Sequence, residues 1–192
     1  VGALGIDNIK NLTLLDKETL QKSMKFVFGK RNLLVTFHPV TLENQSSKRH
    51  IEELLFAVNK IEDTSIIFTM PNADTDGRII FEMIEKFVEK KSNLKAFKSL
   101  GQLKYLSCLK YVDAVIGNSS SGIIEVPTFK KPTINIGERQ RGRLKADSVI
   151  DCDSDRFSIE KALKKAFSTK FQSTLKDIVN PYGDGGAADR II

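Results

Sequence analysis

The segment Gly117-Asn118-Ser119-Ser120-Ser121-Gly122 sets three hydroxyls between two glycines, directly after the apolar run Ala114-Val115-Ile116. A strand, a turn rich in Gly and Ser and a helix start together make an anion site. The first N–H groups of a helix lack partners, and Ser hydroxyls add donors. A plain N-cap is the blander reading, since Ser is a favoured cap residue, yet one cap needs only one Ser. The spacing matches neither the GxxxxGK[ST] phosphate loop nor GxGxxG, which argues against ATPase and NAD chemistry. Glu125 follows on the next turn of chain. A carboxylate there either steadies the positive end of a helix or accepts both hydroxyls of a ribose, and spacing alone leaves both open.

Other candidates also follow apolar runs. Gly137-Glu138-Arg139-Gln140-Arg141-Gly142-Arg143 carries three arginines. Their planar forks match phosphate oxygens, and a solvated loop is the alternative. His38 precedes Pro39, which holds it extended rather than helical. An imidazole binds phosphate when charged and moves a proton when neutral, although a lone His is more often structural. Asn72, Asp74, Lys98 and Ser99 complete the set.

The elements that must position these residues alternate along the chain. Leu33 to Phe37, Ser65 to Met70, Leu94 to Phe97, Ala114 to Ile116, Pro132 to Gly137 and Ser148 to Ile150 read as strands, nearly all apolar. Between them, Ile51, Leu54, Leu55 and Val58 recur at helical spacing after Ser46-Ser47, an N-cap pair. Ile80, Met83, Ile84, Phe87 and Val88 repeat that spacing, Gln102 to Leu109 reads as a short helix, and Ile159 to Phe167 as a closing one. From Ile123 a helix begins that Pro127 limits. Apolar strands alternating with helices predict an α/β fold, a parallel sheet covered on both faces in a Rossmann-like three-layer α/β/α sandwich. Ligands of such sheets sit beyond the carboxyl ends of the strands, where every candidate above falls. Pro181-Tyr182-Gly183-Asp184-Gly185-Gly186 is a turn before a helix start at Ala187, either without a ligand or orienting a helix that returns to a partner domain.

The chain has 192 residues, 41% hydrophobic and 28% charged, which is globular composition sufficient for one domain without metal or disulfide. Its net charge of +6 suits an anionic ligand, but the basic residues are dispersed and Trp is absent, so nucleic acid is not expected. Cys108 and Cys152 stand alone, without a CxxC or a His cluster, which points to a reducing compartment and no zinc. No apolar run reaches membrane-spanning length and no signal peptide opens the chain, so a soluble, cytoplasmic protein is expected.

Taken in order, several motifs resemble the UDP-N-acetylglucosamine 2-epimerase family. They are His38-Pro39-Val40-Thr41, Pro71-Asn72-Ala73-Asp74, Ile116 to Glu125, Asn135 to Arg143 and Asn180 to Gly185. The likeness runs from the opening Val1-Gly2-Ala3-Leu4-Gly5-Ile6-Asp7 through the whole chain. Within the family it is closer to the hydrolysing branch, which serves sialic acid biosynthesis. The non-hydrolysing branch usually has an Asp-Ser-Gly-Gly stretch in place of Asn118 to Gly122 and lacks the segment at Gly137 to Arg143.

The resemblance implies one half of a GT-B-type two-domain enzyme, residues 1–192 being the C-terminal nucleotide-binding domain and the N-terminal domain lying outside the chain. It implies that Ser119 and Ser120 hold the diphosphate of UDP, that Glu125 contacts the ribose, and that Arg139, His38 and Asn72 line the UDP site. Ser99 stands where some relatives have His. His38 is the one proton-handling candidate here, other acid–base residues belonging to the absent domain. The implied substrate is UDP-N-acetylglucosamine, converted to N-acetylmannosamine and UDP without metal or organic cofactor, by a homo-oligomer when full length. Related branches act on diacetylated bacillosamine-type or GDP-linked sugars, and a GT-B glycosyltransferase domain would use the same diphosphate site.

Overall fold

The computed structural model describes residues 2–39, 44–71 and 75–191. Its strands are β1 (Arg31–Thr36), β2 (Thr64–Thr69), β3 (Leu94–Phe97), β4 (Ala114–Gly117), β5 (Thr133–Ile136) and β6 (Val149–Cys152). They form one parallel sheet in the order β3-β2-β1-β4-β5-β6. The order reverses direction between β1 and β4, the switch point where a doubly wound sheet offers its ligand crevice beyond the carboxyl ends of the strands.

Two helices, α1 (Leu4–Asn11) and α2 (Lys17–Met24), precede β1. The crossovers carry α3 (Asn44–Asn59), α4 (Thr75–Val88) and α5 (Gly101–Tyr111). After β4 come α6 (Ser121–Ile124) and a 3-10 turn at Val126–Phe129; after β6 come α7 (Arg156–Ala166), α8 (Thr169–Thr174) and α9 (Ala187–Ile191).

Side chains alternate along each strand and so fill both layers. Leu33, Val35, Ile66, Phe68, Ile116 and Ile134 face a core closed by α3, α4 and α7. Leu34, Ile67 and Val115 face the opposite core, closed by Leu20 and Met24 of α2 and by Leu106 and Leu109 of α5. The expected three-layer sandwich is therefore present.

Local expectations are corrected at three places. Helix α3 begins at Asn44, so Ser46 and Ser47 lie in its first turn and are not its caps. Helix α6 is a single turn. A proline at 127 has no N–H to continue the ladder, and the chain tightens into the 3-10 turn with Pro127 inside it. Helices α1, α2 and α8 fall outside the elements that the sequence predicts. The start of α2 does carry a signal, since the Asp16 side chain accepts from Thr19 N at 2.9 Å and so caps it.

Glu53 of α3 clamps the start of α7. Its carboxylate accepts from Arg156 Nε at 2.8 Å, Nη2 at 2.7 Å and backbone N at 2.7 Å. Those donors, the guanidinium first, hold the Glu53 carboxyl well below its ordinary 4.5, at about 2. A depressed carboxyl contributes stability that is complete above its unfolded value and is lost as pH falls through the folded one. Glu53→Gln is therefore expected to lower Tm by a few degrees at pH 7, a chain of this size losing roughly 2–4 °C per kcal/mol. The gap from wild type should close between pH 4.5 and about 2. A gap constant through that window in thermal melts would show that the ion pair contributes nothing.

Candidate functional site

His38 leaves β1 and Asn118 leaves β4, on the two sides of the crevice. The Asn118 side chain, 1% exposed, ties them together. Its Oδ1 accepts from His38 N and its Nδ2 donates to His38 O, both at 2.8 Å. One amide thus satisfies both backbone polar groups of His38, where Pro39 prevents the chain from satisfying them in a helix. The half-buried imidazole is set at the crevice by this clamp.

The serine turn follows directly. Ser120 occupies the N-cap position of α6 but makes no side-chain cap bond, so the plain cap reading fails. The Ser119 hydroxyl accepts only a long contact from Ser121 N at 3.4 Å. The N–H groups of Ser119 and Ser120 donate to no acceptor among the described residues. Ser121 differs, because its hydroxyl accepts from Tyr105 of α5 at 2.6 Å. Burial pushes the Tyr105 phenol up to about 12, with the nearby Glu125 charge acting the same way, so it stays a neutral donor. Two of the three serines are therefore left to face a ligand. With α6 only one turn long, the anion-binding capacity rests on these local donors more than on a helix dipole.

Of the three arginines, only Arg139 reaches this turn. Its Nη1 donates to Asn118 O at 3.0 Å, and Gln140 Nε2 donates to the same oxygen at 2.8 Å. Arg141 pairs with Glu138 in solvent, and Arg143 Nη1 donates to Gln140 Oε1 at 2.9 Å. Arg139, the arginine of this segment expected at the UDP site, is thus the one that stands beside the serine turn. Sequence reasoning missed Asn118 and Gln140 as organising residues and Tyr105 as the holder of Ser121. A polar side chain as buried as Gln140, at 2% exposure, in a loop otherwise exposed has no sequence signature.

Glu125 ends α6. Its Oε2 is buried and has no hydrogen-bond partner among the described residues. Just before it, Ile124 O accepts from Asn180 Nδ2 at 2.7 Å, and that amide also donates to Thr128 Oγ1 at 2.9 Å. The Asn180-Pro181-Tyr182 turn therefore braces this segment. Ser99 stands apart, past β3, three strand spacings or roughly 14 Å from β4. Its hydroxyl accepts from Gly101 N at 3.1 Å at the start of α5. Asn72 and Asp74 lie outside the described residues, as does Val40-Thr41 of the first motif.

A cavity of about 860 Å³ opens at the opposite edge of the sheet, lined by Lys30, Arg31, Lys60, Asp63, Asp113 and Phe167. It gathers none of the residues that follow the strands, and its charges are of both signs. Among the described residues no helix is long and apolar enough to cross a membrane.

A serine turn with spare donors, an arginine beside it, a carboxylate with an unmet oxygen and a clamped histidine make a site for an anionic, hydroxyl-bearing ligand such as a nucleoside diphosphate. The chain is 40% identical over 173 residues to the GDP/UDP-N,N'-diacetylbacillosamine 2-epimerase (hydrolyzing) of Campylobacter jejuni, covering 90% of the chain and 44% of that protein. It is 39% identical to the polysialic acid biosynthesis protein P7 of Escherichia coli, covering 95% of the chain and 46% of that protein. The chain thus spans under half the length of these curated relatives. Its fold matches an S. aureus MnaA–UDP co-structure with a TM-score of 0.75 at 17% identity, over 99% of the chain and 50% of MnaA. The UDP-N-acetylglucosamine 2-epimerase family model matches residues 1–192, and the chain belongs to that family.

Proposed function

We propose that the chain is the nucleotide-binding half of a hydrolysing 2-epimerase that converts UDP-N-acetylglucosamine to N-acetylmannosamine and UDP. The observation that carries this reading is the serine turn at the crevice between β1 and β4, with two hydroxyls and two N–H groups available beside Arg139. In this reading Ser119, Ser120 and Arg139 hold the diphosphate, Glu125 takes the ribose hydroxyls, and His38 stands beside the leaving group. Asn72 and Ser99 belong to the UDP-binding set by family resemblance, Ser99 standing past β3 and apart from the serine turn.

The chemistry is an anti-elimination followed by hydration. The C2 proton and the C1–O bond to the diphosphate are lost, giving a glycal and UDP. Water then adds across the double bond, hydroxyl to C1 and proton to C2, with inversion at C2. Negative charge grows on the diphosphate as the C1–O bond breaks. Donors already aimed at it lower the barrier without reorganising, an effect that commonly supplies several kcal/mol. Both steps are redox-neutral and call for no organic cofactor or metal. An N-terminal domain facing the crevice supplies the acids that handle the C2 proton, and the complete enzyme is a cytoplasmic homo-oligomer.

A second reading differs in the sugar. The Campylobacter relative, at 40% identity, is named for diacetylbacillosamine and for GDP as well as UDP. The test is to incubate the full-length protein, without an acceptor, with UDP-N-acetylglucosamine and separately with UDP-N,N'-diacetylbacillosamine, and to identify products by NMR. UDP with N-acetylmannosamine from the first supports the proposal. Turnover of only the second selects the other sugar; if both are inert, GDP-N,N'-diacetylbacillosamine is assayed the same way, and inertness there too points to a glycosyltransferase of the same architecture.

A further inference from the structure

The opening segment of the chain takes no part in the site as described so far, yet it touches it. Gly5 lies in the first turn of α1 against Glu125. A Cβ built on Gly5 would stand 2.7 Å from Glu125 Oε1 and 3.5 Å from its Cδ, the first of these inside any normal contact. The backbone of Gly5 is helical, so the missing side chain provides space here and not conformational freedom.

Neither partner in this contact is loosely placed. Helix α1 is fixed by Ala3 N donating to Tyr182 O at 3.0 Å. It is fixed again by Asp7, whose carboxylate accepts from Ala187 N at 3.1 Å and Ala188 N at 2.8 Å at the start of α9. The Glu125 segment is held by Asn180 through Ile124 O. A side chain at position 5 therefore meets a backbone that is braced from both directions, and the end of the Glu125 side chain is what must yield. That end carries Oε2, a buried carboxylate oxygen without a donor among the described residues, so the carboxylate is not tied in place by a hydrogen bond at that oxygen.

We propose that Gly5 is a positioning residue for ribose recognition: its bare Cα makes the space in which the Glu125 carboxylate stands, and a side chain there turns the carboxylate away from the diol. The inference rests on the assignment of Glu125 to the ribose. It places the specificity for a ribonucleotide partly in α1, an element remote in sequence from the nucleotide loops.

Calorimetric titration with UDP and with 2'-deoxy-UDP tests it, using wild type, Gly5→Ala, Glu125→Gln and the double variant. Gly5→Ala should weaken UDP about tenfold, the scale of a lost hydrogen bond to a charged group, and 2'-deoxy-UDP by less than about twofold. The double variant should bind no worse than Glu125→Gln alone, because the carboxylate that Gly5 positions is already gone. Thermal melts should show Gly5→Ala folded with a midpoint near wild type, the better helix former offsetting the displaced carboxylate. An alanine variant that does not fold would show that the carboxylate cannot move aside, and overturns the proposal.

Equal weakening of both nucleotides by Gly5→Ala, or no weakening of UDP, overturns the proposal. If Glu125→Gln erases the preference for UDP while Gly5→Ala keeps it, the role of Gly5 falls and that of Glu125 stands. If wild type shows no preference for UDP over 2'-deoxy-UDP, the ribose assignment fails first and the Gly5 inference with it.

Discussion

Gly117→Ala is expected to unfold the chain or bring it close to unfolding. Gly117 ends β4 with φ at 144°, a region that L side chains rarely enter. A Cβ there would lie 1.8 Å from Thr36 O and 2.6 Å from Thr36 C. Both contacts are to backbone, so no rotamer relieves them. Thr36 and Gly117 are register partners in the β1–β4 pair, and Gly117 also pairs with Asn135 of β5. The centre of the sheet must therefore open if β4 is to keep its place. A backbone clash combined with a strained φ belongs among the most damaging single changes, costing about 4 kcal/mol or more. Against a total stability of about 5–15 kcal/mol, that takes most of the margin of an ordinary domain. Urea melts should show a large drop in midpoint or no cooperative transition, and a midpoint within error of wild type would contradict the strand geometry. The same close approach brings Asn118 within reach of His38, so this glycine links the sheet's stability to the site.

Ser119→Ala with Ser120→Ala is expected to do the reverse, leaving stability nearly unchanged and damaging binding. Neither hydroxyl caps α6, and the Ser119 contact at 3.4 Å is too long to support the turn. In the proposed complex both hydroxyls donate to a charged diphosphate, and losing them should weaken UDP by roughly 1–3 kcal/mol, or about 5- to 150-fold. Uridine, which lacks the diphosphate, should be affected far less. Titration of the double variant with both ligands is the check: equal losses would move the diphosphate elsewhere. An unchanged thermal midpoint would show that binding and not folding was hit.

The sheet was legible because its strands are buried on both faces and read as continuous apolar runs. Leu33 to Phe37 and Ala114 to Ile116 are stopped by His38-Pro39 and by Gly117, and the structure ends β1 at Thr36, one residue short of Phe37, and β4 at Gly117 itself. The helical starts were less legible. Ser46-Ser47 looked like caps, but α3 begins at Asn44, because cap preference is weak beside the packing of Ile51, Leu54 and Val58. α1 and α2 are short and polar on most positions, and they hold through a few buried residues such as Ile6, Leu20 and Met24, too few to register as a periodicity.

The site divides in the same way. That Ser119, Ser120, His38 and Arg139 lie along one edge follows from each standing after a parallel strand. What joins them does not. The amide of Asn118 bonding both polar groups of His38, Gln140 bridging Arg143 to Asn118 O, and Tyr105 holding Ser121 are contacts between residues 80, 22 and 16 positions apart. Such pairs arise only when the loops meet. The Gly5 contact with Glu125 is of the same kind, since a missing side chain leaves no chemical trace in a sequence.

A crystal structure of the chain grown with UDP addresses the central claim most directly. The account predicts diphosphate oxygens within hydrogen-bonding distance of the Ser119 and Ser120 hydroxyls and the Arg139 guanidinium, with the ribose at Glu125. UDP bound at another place, with the serine turn bare, would contradict it.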